Sequence, residues 1–242
     1  MSLTLPSRQS GRYAALFLIT QYVLMLSAFI ILSSTINWPQ SLDDPASIAL
    51  PRVLEQSQSM FLGYGCYFLV GILFIPATVA LNARLGITGA MASMTVALAT
   101  FSAIAKSIGI TRWLFAMPTL AEAYVAPGAD TQTIASIFAV LNEYAGGIGE
   151  ILGVGLMSGI WTILMARELF KKPGRVAKPL AIFVFITALI LFATIPAGFG
   201  IDMGPVLTVS GIIWQAGLLG MGLWSLTMPR EAQIKPQKEI LS

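Results

Sequence analysis

Residues 133–165 read TIASIFAVLNEYAGGIGEILGVGLMSGIWTILM. The run holds two charges, Glu143 and Glu150, and is otherwise apolar, small or weakly polar. It is longer than the roughly 20 residues that an α-helix needs to cross the hydrocarbon core of a bilayer. Upstream, residues 88–117 read TGAMASMTVALATFSAIAKSIGITRWLFAM, with Lys106 and Arg112 as the charges. Two such runs joined by a polar loop predict a pair of antiparallel membrane helices.

The rest of the chain agrees. Of 242 residues, 56% are hydrophobic and 10% are charged, and the mean hydropathy is +0.81. Soluble domains carry about 25% charged residues. Fourteen basic and eleven acidic side chains cannot cover a water-soluble surface of this size. A soluble enzyme, a nucleic-acid-binding domain and a disordered chain are therefore excluded. Four more apolar runs complete the set, at Tyr13–Ser34, Met60–Leu81, Pro179–Ala197 and Pro205–Met228. Their continuity argues against a β-barrel, whose strands alternate. The expected architecture is all-α, a single membrane domain of six transmembrane helices over residues 1–242, with a short tail at 229–242. The first run is too long for a signal-peptide core and is read as a retained helix.

The connections differ. Residues 36–59 form a long polar loop with a short helix expected at Ala46–Gln56. Thr119–Gln132 is expected as a second long loop, and Phe199–Gly204 as a tight turn. The connection LFKKPGRVAK at Leu169–Lys178 is strongly basic. Basic residues mark the cytoplasmic side. One side receives Arg8, Arg12, Arg84, Arg167, Lys171, Lys172, Arg175, Lys178, Arg230, Lys235 and Lys238, against Arg52 and Arg112 on the other. Both termini are thus expected in the cytoplasm, in the inner (plasma) membrane of a bacterium. The basic run has a second reading, contact with acidic lipids or a partner.

Ionisable groups inside membrane helices are expensive and usually functional. Lys106 and Glu143 each lie roughly ten residues from the outer ends of their helices, so at about 1.5 Å per residue they share a depth. A Lys106–Glu143 ion pair is expected, as a lock between two helices or as part of a ligand site. Glu150 lies two helical turns beyond Glu143, on the same predicted face. Positions 88, 92, 95, 99, 102, 106 and 109 are all small or polar, so this stripe is expected to face the bundle interior. The glycines around Glu150 predict close helix packing. Asn142, Gln215, Arg112 and Tyr124 complete the candidate ligand or ion site, with Tyr64, Tyr67 and Gln21 as further polar groups. Arg112 and Trp113 also have a reading as interface anchors.

With no histidine and one cysteine, Cys66, a His-bound haem, a zinc site, a disulfide and a Ser-His-Asp triad are unavailable. No catalytic residue, metal or cofactor is assigned. The expected partners are the lipid bilayer, a small molecule or ion, and a membrane-protein partner or second copy; no nucleic acid is expected. The functional expectation is binding or transport of a small ligand. The alternative is a structural or regulatory subunit of a membrane complex, and an enzyme acting on lipid or quinone is the weakest reading.

Two resemblances bear on this. AKSIGITRWLFAMPTLAEAY at 105–124 and NEYAGGIGEILGVGLMSGIW at 142–161 resemble a group of uncharacterised bacterial multi-pass membrane proteins catalogued as a domain of unknown function. That resemblance implies a six- or seven-helix bacterial inner-membrane protein and assigns no agreed activity. In size, topology and loop placement the chain also looks similar to the substrate-capturing subunits of vitamin importers. It lacks their Ala-x-x-x-Ala docking stripe on the first helix, where only Ala14, Ala15 and Ala28 occur.

Overall fold

The computed structural model describes residues 7–199, 201 and 203–227. Seven helices account for nearly all of them: α1 (Ser7–Ile36), α2 (Ala46–Glu55), α3 (Ser57–Leu85), α4 (Gly89–Val125), α5 (Thr131–Phe170), α6 (Ala177–Phe192) and α7 (Gly204–Thr227). No strand occurs among the described residues. All except α2 are long and apolar enough to cross a membrane. The chain is therefore a multi-pass, all-helical membrane architecture. The expected 229–242 tail lies outside the described residues.

Two boundaries differ from the sequence reading. The expected loop at Thr119–Gln132 is mostly helix, because α4 runs on to Val125 with Pro118 in the first turn of its last segment, where proline is tolerated. The true connection is 126–130. It ends at Asp130, whose side chain accepts from the Thr133 amide (3.1 Å) and the Thr133 hydroxyl (2.7 Å) and so caps α5. Those same bonds hold the Asp130 carboxyl below the usual carboxylate range, the Thr133 hydroxyl contributing most. By contrast, the short helix in the first loop lies where expected.

The spans pack in chain order, α1 on α3, α3 on α4, α4 on α5, α5 on α6 and α6 on α7, and α7 closes back onto α1. The outer surface is apolar: Leu16, Val23, Ile30, Phe61, Phe101, Ile104, Ile182 and Leu189 are exposed. Gln21, Thr78, Asn82, Thr95, Ser102, Ser158, Thr162 and Thr187 are buried. Polar inside and apolar outside is the distribution that a hydrocarbon solvent selects. Of the expected stripe on α4, Thr95, Ala99, Ser102, Lys106 and Gly109 are buried, Ala92 is half-buried and Thr88, before the helix, is exposed.

Hydrogen bonds tie the end of the bundle that carries the termini. Gly86, with φ of +67°, ends α3 in the left-handed conformation, and Ile87 N–H donates back to Asn82 at 2.9 Å. Asn82 Nδ2 then donates to Thr95 Oγ1 at 2.8 Å, joining α3 to α4. Arg84 Nε donates to the Ser225 carbonyl at 3.1 Å, joining α3 to α7. A Cβ on Gly11 of α1 would lie 2.6 Å from that carbonyl, so only glycine fits at the junction of the three helices.

At the opposite end, the loop end, α2 lies across the bundle. Its Leu50 and Val53 join Leu32, Tyr64, Trp113, Met117 and Phe138 in one apolar cluster. A second cluster, around Phe74, Trp161 and Trp214, fills the middle and the terminal end.

Candidate functional site

The α4–α5 interface holds both polar centres. It is built on glycine: a Cβ on Gly109 would come within 3.0 Å of the Gly149 Cα, and a Cβ on Gly153 within 3.1 Å of the Lys106 amide nitrogen. Backbones this close leave no room for side chains between the helices, as in small-residue membrane packing generally. Both helices depart from α geometry here. Arg112–Ala116 and Gly147–Ser158 are π-helical, with Arg112 opening the first segment and Glu150 in the first turn of the second. The π-helix is rare and recurs at functional positions.

The inner centre surrounds Lys106. Its ammonium donates to Ser158 Oγ at 2.9 Å and lies 4.3 Å from the Trp214 ring centroid and 4.9 Å from that of Phe74. Two π faces and a hydroxyl are thus its surroundings, and cation–π contacts strengthen when desolvated. Around it, Ser102 Oγ donates to the Gly153 carbonyl at 2.9 Å and lies 2.9 Å from Ser158 Oγ. Trp214 Nε1 donates to Thr162 Oγ1 at 2.9 Å, and that hydroxyl donates to the Ser158 carbonyl at 2.6 Å. Neither Glu143 nor Glu150 pairs with Lys106. The expected Lys106–Glu143 pair is corrected by the azimuth of Glu143, which is exposed at the loop end. Equal depth along two helices does not bring side chains together.

The outer centre is Arg112 with Glu150. Arg112 Nη2 lies 3.5 Å from Glu150 Oε1, the arginine side chain 6% exposed and the glutamate 38%. The guanidinium lies against Gly146, where a Cβ would come within 3.0 Å of Nη1. Beside it, the Trp113 and Tyr64 rings stack with centroids 5.4 Å apart and planes 1° from parallel. Arg112 and Trp113 are therefore not interface anchors; both are buried. Arg112 Nε and the Tyr64 hydroxyl are buried with no hydrogen-bond partner. Tyr67 and Asp43 lie within electrostatic reach of Glu150.

The other candidate residues scatter. Asn142 Nδ2 donates to the Leu42 carbonyl at 2.9 Å and pins the first loop to α5. With Asp43, Asp44 and Glu143 it lines a cavity of about 380 Å³ at the loop end. Asp44 is already paired with Arg52. Gln215 is buried beside the inner centre's Trp214, its Oε1 without a partner. Tyr124 packs on the apolar cluster at the loop end. The sequence reading missed Ser158, Trp214 and Phe74 as partners of Lys106. Only Ser102 carried a signal, as a member of the small-residue stripe.

The six apolar spans, their polar interior and the two cationic centres define a multi-pass helical bundle of the membrane class. Within it, the chain belongs to the family described as a domain of unknown function, DUF4386, which matches residues 13–227. No curated protein and no solved structure matches the chain.

Proposed function

We propose that this chain binds a small charged solute at the Arg112–Glu150 centre and passes it toward the membrane interior, with both termini in the cytoplasm of a bacterial cell. One observation carries the reading. A side chain with five N–H donors is buried to 6% exposure, lies 5.6 Å from the Trp113 ring centroid and makes one long polar contact, at 3.5 Å, with its Nε unpartnered. A buried ion pair is stable only when further hydrogen bonds satisfy its remaining donors. Arg112 lacks them, which marks a group held ready for an acceptor. The orientation rests on the excess of Lys and Arg in the connections at the terminal end.

The test is thermal unfolding of the full chain in lipid nanodiscs with acetate, chloride, sodium, methylammonium and glycine as probes. The expected result is a rise in melting temperature with at least one probe, reduced in Gly146→Leu, whose side chain displaces the guanidinium. Arg112→Lys, which keeps the charge and loses the fork, serves where Gly146→Leu does not fold. No rise with any probe overturns the reading.

A further inference from the structure

The centre at Arg112 also specifies the chemistry of its ligand, and this step rests on the reading just given. We propose that the ligand is a small monocarboxylate, and that Glu150 is an internal carboxylate holding the same place in the free protein.

The acceptor must be an oxyanion. Arg112 Nε and the Tyr64 hydroxyl are both donors, both buried and both without a partner. A carboxylate takes two parallel bonds from a guanidinium fork. Glu150 supplies only one oxygen, at 3.5 Å, beyond the 2.7–2.9 Å usual for charge-assisted bonds. It is also the more exposed partner, so it is the group free to leave. Gly146 lets the guanidinium pack directly on the α5 backbone, since a Cβ there would sit 3.0–3.4 Å from Nη1, Nη2 and Cζ, which leaves Nε as the donor still to be filled.

The charge must be single. Arg112 is the one cation at this centre, and it is already half-matched by Glu150. Asp43, Asp44 and Glu143 line the cavity at the same end. Asp44 is neutralised by Arg52, but Asp43 acts on Glu150 through space. A dianion would meet these carboxylates with one guanidinium to offset them. The remainder of the ligand is small, because Trp113 and Tyr64 stack on each other beside the guanidinium and leave little free space at Nε.

Competition between Glu150 and the ligand makes the proposal separable from a simple cation site. The full chain in nanodiscs is titrated with acetate, propionate, chloride and methylammonium, reading melting temperature and calorimetric binding. Acetate and propionate are expected to bind the wild type more tightly than chloride does. Glu150→Gln removes the competitor and is expected to tighten acetate binding about tenfold. Arg112→Lys is expected to abolish it, and Glu150→Gln carries the test if that variant does not fold. Loss of acetate binding in Glu150→Gln overturns the proposal, as does chloride binding as tightly as acetate. Binding of methylammonium in place of acetate overturns the ligand class and leaves the site standing. Binding of no probe removes both.

Discussion

Lys106 and Arg112 sit six positions apart on α4, both buried, and their surroundings are opposite. Lys106 is fully supplied: a serine hydroxyl accepts from it, two rings face it, and a web of Ser102, Ser158, Thr162 and Trp214 fixes those partners. Arg112 is undersupplied, with one ring at 5.6 Å, one long polar contact and a buried donor that has no hydrogen-bond partner. The first arrangement has the hydrogen-bond economy of a structural core. The second has that of a binding site. A buried charge is thus not itself a mark of function; the unfilled valence of its hydrogen bonds is.

Four variants sharpen or break this contrast, in order of expected effect. Gly109→Leu forces apart the α4–α5 crossing on which both centres depend. It should cost about 3 kcal/mol in denaturant unfolding and disturb Lys106 and Arg112 together; a wild-type midpoint would show that the crossing is not the common support. Ser158→Ala takes the hydroxyl acceptor from Lys106 and should cost about 1–3 kcal/mol. Adding Lys106→Met to that variant should recover most of the loss, since a buried charge replaced by an apolar chain of similar length is near neutral. Failure of the recovery would mean that Ser158 acts through Ser102 and Gly153 instead of through the lysine. Arg112→Gln should cost about 1 kcal/mol, because it removes one long ion-pair contact to a partly exposed glutamate and one distant ring contact, yet it should eliminate solute-induced stabilisation. A large loss of stability would move Arg112 into the structural class.

The smallest effect lies at the end of the interface. Asp130 is exposed and its carboxyl is held low by Thr133. Its cap is therefore complete above the unfolded carboxyl value, near pH 4, and weakens as pH falls through the lower folded value. Asp130→Ala should lower the melting temperature slightly at neutral pH, Asp130→Asn, which keeps a capping oxygen, should lower it less, and both should flatten the acid dependence of the wild type.

Much of this was legible from residue type and spacing. The six spans follow from run length, and the buried face of α4 follows from the small and polar residues at helical intervals. The tight α4–α5 crossing follows from the glycines. The error about Glu143 has a specific origin. Seven residues amount to two α turns, which would put Glu143 and Glu150 on one face. At Gly147 the helix widens to π geometry, with i to i+5 bonding, and the register shifts. Glu150 thereby leaves the face of Glu143 and reaches Arg112, while Glu143, on the α-helical segment before it, is exposed. No local pattern in the sequence announces that change. Nor could spacing show that Phe74, Trp214 and Ser158, drawn from three helices, would converge on one amine.

The clamp formed by Gly11, Arg84 and Ser225 also orders the assembly of the molecule. Arg84 and its carbonyl partner are separated by 141 residues, so during synthesis the first three spans wait, unsealed, until α7 is inserted. The seam between α1 and α3 on one side and α7 on the other is the last to close. Until then the polar interior remains open laterally to lipid, which makes the final span the gatekeeper of biogenesis. Truncation before α7 should leave a nascent chain recognised by membrane quality control, however well its earlier helices have paired.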